Sequence, residues 1–172
     1  MKAIFLDRDG IINKDVGYLY KISDFEFTDG IFEVCKYFNQ IGYKIIIITN
    51  QSGIHRKYFT LSDFQVLSNW LLEQFKEKNI NILDIFFCPH GPNTNCNCRK
   101  PKPGMILEAS VKYNIDLKNS WMIGDKEKDI EAANNAGIKK TILIQSSYTS
   151  GEKTSKATYI LKSVSESNKF IL

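Results

Sequence analysis

Long apolar runs are missing from this chain. The longest aliphatic stretch is "IIII" at 45–48, whereas a membrane-spanning helix needs about 20 apolar residues. Lys2 is followed at once by the strand-like "AIFL". That leaves no room for a cleavable leader, so a cytoplasmic location with no membrane partner is expected. No block of five or more like charges occurs, and 23 basic against 19 acidic residues leave a net charge of +4. A solvated surface accounts for so mild an excess, and no nucleic-acid partner is expected. Internal repeats and low-complexity segments are absent too. The 172 residues, 43% of them hydrophobic, are enough for one ordinary domain with its own core, expected to span 1–172 and to be monomeric.

Cysteine and histidine are also scarce, with four and two copies, but they are unevenly spread. Three of the four cysteines and one of the two histidines fall within 88–98, in "CPHGPNTNCNC". In a reducing compartment such a cluster points to a metal rather than a disulfide. Cys88, His90, Cys96 and Cys98 offer three thiolates and an imidazole, the donor set of a closed, structural Zn²⁺ site. The intervening "GPNTN" is polar and could not bury free thiols as small hydrophobes. That description suits Cys35, on the apolar face of a helix.

Apolar runs alternate with amphipathic segments. Strands are expected at 3–7, 43–50, 82–88, 120–125, 140–144 and 157–161. Helices are expected at 30–42, from a Thr60 cap through an apolar stripe of Phe64, Leu67, Leu71 and Phe75, at 104–114, and at 128–137 ending on Gly137. "SSYTSGEKTSK" (146–156) reads as polar loop. Continuously apolar strands separated by single helices predict an α/β fold, a doubly wound parallel sheet covered on both faces. In such folds ligands sit at the carboxyl ends of the strands.

Polar residues collect at those ends. The first strand runs into "DRDG", and in extended chain Asp7 and Asp9 point the same way, so they repel unless a cation or a proton lies between them. The second ends in "TNQSG", with Thr49, Asn50 and Ser52 as uncharged donors. The fourth ends in Asp125. Asp129 follows one turn later, either complementing a helix N-terminus or supporting a metal from behind. Arg99 and Lys100 follow the third strand. Three acids, a hydroxyl and a lysine from different strand ends make a phosphate site in which the acids hold Mg²⁺. A carboxylate can then act as nucleophile and another as proton donor.

The ordered stretches "FLDRDG", "TNQSG", "RKPKPG" and "GDKEKD" resemble the haloacid dehalogenase-like phosphatases over nearly the whole chain. The resemblance implies a Rossmann-like sheet with Asp7 as nucleophile and Asp9 as general acid, then base. Thr49 and Lys100, the latter preferred to Lys102, would stabilise the phosphoryl group, and Asp7, Asp9 and Asp125 would form the Mg²⁺ site. Only 39 residues lie between Asp9 and Thr49, too few for a cap domain. A zinc loop on a capless phosphatase is similar to the D-glycero-D-manno-heptose 1,7-bisphosphate 7-phosphatases, of lipopolysaccharide or surface-glycan precursor synthesis. "DVGY", "FEFTDG", "CPH" and "CNCRKPKPGM" carry that likeness. It implies a small phosphorylated sugar as substrate. Asp15, Val16, Gly17 and Tyr18 would meet it, as would Asn50, Gln51, Ser52, Arg99 and Lys126. The five residues between His90 and Cys96, and His55–Arg56 near the mouth, depart from the family pattern and bear on sugar or anomer preference. Histidinol-phosphate phosphatase is the neighbouring alternative. A nucleic-acid 3′-phosphatase lacks the expected basic, aromatic groove, and a non-enzymatic zinc module would have no use for the strand-end acids.

Overall fold

The structure is a computed structural model and describes residues 1–145 and 154–172. The loop expected over 146–156 therefore lies, up to residue 153, outside the described residues. Strands β1 (Ala3–Leu6), β2 (Lys44–Asn50), β3 (Ile82–Cys88), β4 (Trp121–Gly124), β5 (Lys140–Ile144) and β6 (Tyr159–Leu161) form one sheet in the order β3-β2-β1-β4-β5-β6. Every pairing is parallel.

Period-2 alternation within the apolar strands divides them between two cores. Ile4, Leu6, Ile45, Ile47 and Ile123 face helix α1 (Ile31–Gln40) and the later helix α3 (Leu61–Glu77). Phe5, Ile46, Ile48 and Met122 face α4 (Gly104–Tyr113) and α5 (Glu127–Ala136). Both faces are covered, which is why the strands read as continuous apolar runs. The short α2 (Ser52–His55), not expected from the periodicity, follows β2 directly.

Local chemistry explains the boundaries. The Thr60 side chain accepts from the Asp63 amide at 3.1 Å while the Asp63 carboxylate takes the Thr60 amide at 2.7 Å, a capping box that starts α3. Phe64, Leu67, Leu71 and Phe75 are all buried along its inner face. Gly137, at φ +100°, closes α5 in the left-handed conformation. The last strand is shorter than the expected 157–161. Thr141 and Thr158 exchange side-chain bonds to each other's amides at 3.0 and 3.1 Å, which replaces the ladder there. No helix among the described residues is long and apolar enough to cross a membrane.

The sheet's winding reverses beside β1: β2 and β3 lie on one side, β4 to β6 on the other. The crevice at that switch point, beyond the carboxyl ends of β1, β2 and β4, is where an open α/β sheet binds ligands.

Candidate active site

The β1 strand stops at Leu6, one residue short of expectation. The Asp7 amide turns to the Ile123 carbonyl of β4 at 3.1 Å, and the chain then folds back on itself, with the Gly10 amide on the Asn13 carbonyl at 2.7 Å. Gly10 has φ +91°, and a Cβ there would stand 2.2 Å from Asp125 Oδ2, so only glycine fits the approach of this turn to β4.

Because Asp7 and Asp9 lie beyond the strand, the extended-chain picture of two parallel carboxylates does not hold. Asp7 Oδ1 receives the Lys100 ammonium at 2.8 Å, and the same Nζ lies 2.8 Å from Asp129 Oδ1. The Asp9 carboxylate instead takes Arg8 Nη2 at 2.9 Å, Asn13 Nδ2 at 3.0 Å and Gln51 Nε2 at 3.1 Å. Among the described residues the acids whose oxygens gather within 4.8 Å of one another are Asp7, Asp125 and Asp129, without Asp9.

A cavity of about 200 Å³ opens onto Asp7 and Asp9. Of the thirteen residues expected to act in catalysis or to meet substrate, ten line it; the exceptions are Thr49, Val16 and Arg99. Thr49 is wholly buried behind Gln51, whose amide donates to its hydroxyl at 2.8 Å. Val16 is exposed and borders the neighbouring cavities. Arg99 folds away onto the His90 carbonyl at 3.2 Å. Lys100, not Lys102, reaches the acids: Lys102 Nζ goes to the Cys96 carbonyl at 2.6 Å. His55 packs against Gly91 of the cysteine loop.

Lys100 Nζ donates to Asp7 and to the Ile48 carbonyl at 3.0 Å and is ion-paired with Asp129 at 2.8 Å. Burial alone would lower its pKa, but the carboxylates of Asp129 and Asp7 outweigh that and hold it above the ordinary lysine value. Asp129 also caps α5, accepting from the Lys126 amide at 3.1 Å. Of the two roles considered from sequence, the one at the helix N-terminus is visible here, and the same side chain lies among the buried acids. The rim is polar as well: Lys126 Nζ pairs with Asp15 Oδ2 at 3.1 Å, while Asp15 Oδ1 accepts the Gly17 amide at 3.0 Å.

Burial, then the charge of Asp129, raises the Asp7 pKa, with Lys100 opposing. Burial, then the charge of Asp7, pushes Asp125 up to about 8, and Asp125 Oδ1 has no hydrogen-bond donor. An all-oxygen donor set with an orphaned buried carboxylate oxygen fits a hard divalent cation. The expected pH effect has a definite sign. A carboxyl whose pKa rises on folding favours the folded state below its unfolded value near 4, and that stability is withdrawn as pH climbs toward about 8. In Mg²⁺-free buffer, Asp125→Asn is therefore expected to gain melting temperature relative to the unsubstituted chain between pH 5 and pH 8. Thermal melts at both pH values check this, and a pH-independent gap would count against it.

The second cluster lies at the end of β3. Cys98 Sγ is 3.0 Å from Cys88 Sγ, His90 Nδ1 is 3.3 Å from Cys98 Sγ, and Cys88 and Cys96 sulfurs are 3.7 Å apart. Their donor atoms also lie within 4.8 Å of one another, so the four residues could hold a metal ion. Cys98 leads directly into Arg99 and Lys100. The Lys100 backbone is pinned to β2 from both sides, its amide on Asn50 Oδ1 at 3.1 Å and its carbonyl on Asn50 Nδ2 at 3.2 Å.

Three residues that shape the site carried no sequence signal of their own. Arg8, between the two aspartates, is only 1% exposed and grips both Asp9 and the Leu19 carbonyl at 3.1 Å. Asn13 and Lys128 are the others. Nothing in their spacing distinguishes them from surface residues.

Residues 97–167 match a model of the HAD-hydrolase-like family. The β-heptose 1,7-bisphosphate 7-phosphatase of Helicobacter pylori 26695 is 54% identical over 144 residues, 83% of each chain. The enzyme named for the α-anomer from Photorhabdus laumondii is 47% identical over 164 residues, covering 91% of this chain and 90% of its own. Among solved structures, the D,D-heptose 1,7-bisphosphate phosphatase of B. bronchiseptica, complexed with magnesium and phosphate, superposes with a TM-score of 0.88 at 28% identity. It covers 99% of this chain and 98% of its own. Sheet, strand-end acids and relatives define a haloacid dehalogenase-like phosphatase. Within that class, the chain belongs to the D-glycero-D-manno-heptose 1,7-bisphosphate 7-phosphatase family.

Proposed function

We propose that this chain, as a single phosphatase domain over 1–172, removes the 7-phosphate of D-glycero-D-manno-heptose 1,7-bisphosphate through an aspartyl-phosphate on Asp7. The observation that carries the reading is the buried Asp7 carboxylate, held 2.8 Å from Lys100 at the floor of a polar cavity. Its identity of about one half to enzymes named for this reaction supports the choice of sugar.

Asp7 attacks phosphorus through its free oxygen, since Lys100 holds the other in place. The bond between phosphorus and the sugar oxygen breaks, and Asp9 gives that oxygen a proton. Asp9 then takes a proton from water, which attacks the acyl phosphate, frees inorganic phosphate and restores Asp7. Arg8 and Gln51 hold the Asp9 carboxylate at the cavity. Mg²⁺ held by Asp7 and Asp125 would neutralise charge on the phosphoryl oxygens. Thr49 and Asn50 brace Gln51 and Lys100, and Asp15, Gly17, Tyr18, Ser52 and Lys126 face the sugar.

Zn²⁺ at Cys88, His90, Cys96 and Cys98 would supply the folding energy that a short polar loop lacks. Cys96→Ser is expected to lose stoichiometric zinc and to lower kcat/KM at least about tenfold, because the loop delivers Lys100 to Asp7. Zinc content with steady-state kinetics measures both. Unchanged kinetics in a zinc-free variant would remove the loop from catalysis.

Relatives of similar identity carry the names of opposite anomers. The deciding assay is kcat/KM with Mg²⁺ for both heptose bisphosphates beside histidinol phosphate. Preference for one heptose anomer is expected. Turnover of histidinol phosphate as good or better would replace the sugar assignment and leave the phosphatase chemistry in place.

A further inference from the structure

Three lysines line the cavity, and two of them are already matched. Lys100 is hydrogen-bonded to Asp7 and Ile48 and ion-paired with Asp129, and Lys126 lies 3.1 Å from Asp15 and 3.9 Å from Asp125. Lys128, in the first turn of α5, is half-buried and makes no side-chain ion pair or hydrogen bond among the described residues. Burial weighs on its charge first; the acids acting on it most strongly are Asp129, buried behind the cavity, and Asp7, which lines it, with Lys100 and Lys126 opposing. An ammonium partly stripped of water and lacking a bonded counter-ion is costly, and an entering anion removes that cost.

We propose that Lys128 is a further phosphate-binding residue, donating to a non-bridging oxygen of the phosphoryl group seated against Asp7. The proposal rests on the phosphatase reading above and divides the cationic work of the site. Lys100, already matched by two buried carboxylates, positions the nucleophile, and Lys128 takes the charge of the group that is transferred. The ligand is the phosphomonoester dianion itself, so the residue should serve every substrate alike, with or without a second phosphate.

The test uses Lys128→Met and Lys128→Arg in the full chain with Mg²⁺. Each is assayed on p-nitrophenyl phosphate and on the heptose bisphosphate, with inorganic phosphate as inhibitor and a thermal melt alongside. Lys128→Met is expected to lower kcat/KM at least about tenfold on both substrates. It should weaken inhibition by phosphate by a similar factor without lowering Tm, and Lys128→Arg should recover most of both. Unchanged phosphate inhibition would overturn the proposal. So would a loss confined to the bisphosphate, which would place Lys128 on the second phosphate. A loss abolished by a change of assay pH would also overturn it, since Lys128 would then act only through the titration of Asp7. Mg²⁺-dependent turnover of p-nitrophenyl phosphate by the unsubstituted chain, measured first, keeps the two readings apart: without it the phosphatase reading itself falls, and this one with it.

Discussion

Replacing Asp7 with asparagine is expected to lower Mg²⁺-dependent phosphate release by at least about 10⁴-fold, the scale on which single nucleophile replacements act. The amide keeps the shape of the side chain but cannot form the acyl phosphate. Stability should change little by comparison. Lys100 keeps Asp129 as a partner at 2.8 Å, and the substitution removes one of three acids crowded within 4.8 Å. Steady-state assays with a thermal melt separate the two effects. A variant that folds normally and retains more than about a hundredth of the activity would show that water, not Asp7, attacks phosphorus.

Lys100→Met is expected to act on both stability and activity. The Lys100 side chain is 1% exposed, and its partners Asp7 and Asp129 are 7% and 0% exposed. Methionine would leave two buried carboxylates facing each other without a cation. Breaking a buried pair in this way typically costs about 3–5 kcal/mol. Denaturant unfolding in Mg²⁺-free buffer is the measurement. Adding Asp129→Asn to Lys100→Met should return part of the stability, because it removes one uncompensated charge, but not the activity. A loss below about 1 kcal/mol would mean that water screens the pair as it does at a surface.

Much of this chain was legible before any coordinates. The apolar runs marked all six strands to within two residues, because a strand buried on both faces has to be apolar throughout. The Thr60–Asp63 cap and the Gly137 stop were equally readable, since caps are local chemistry. The gathering of the cysteine loop was legible for another reason: three thiols and an imidazole fall within eleven residues, and their donor atoms meet within 4.8 Å. The choice of Lys100 over Lys102 also agrees with the geometry.

Other features depended on contacts across the sheet. Asp7 and Asp9 were read as a matched pair, yet β1 ends at Leu6 and their carboxylates turn to different partners. Arg99 was placed at the mouth by its neighbour in sequence, but its guanidinium closes the cysteine loop instead. Arg8 and Lys128 could not be recognised at all. A buried arginine and a half-buried lysine look like solvated charges until the elements around them are in place.

The sequence by itself determined the strands and the longer helices in chain order and the four residues of the cysteine cluster, which follow from local periodicity and spacing, and its motifs carried the family resemblance. Only the tertiary structure decided which acid meets which cation. That choice is settled by desolvation and by distances between residues as far apart as Asp7 and Lys100, which folding brings to 2.8 Å.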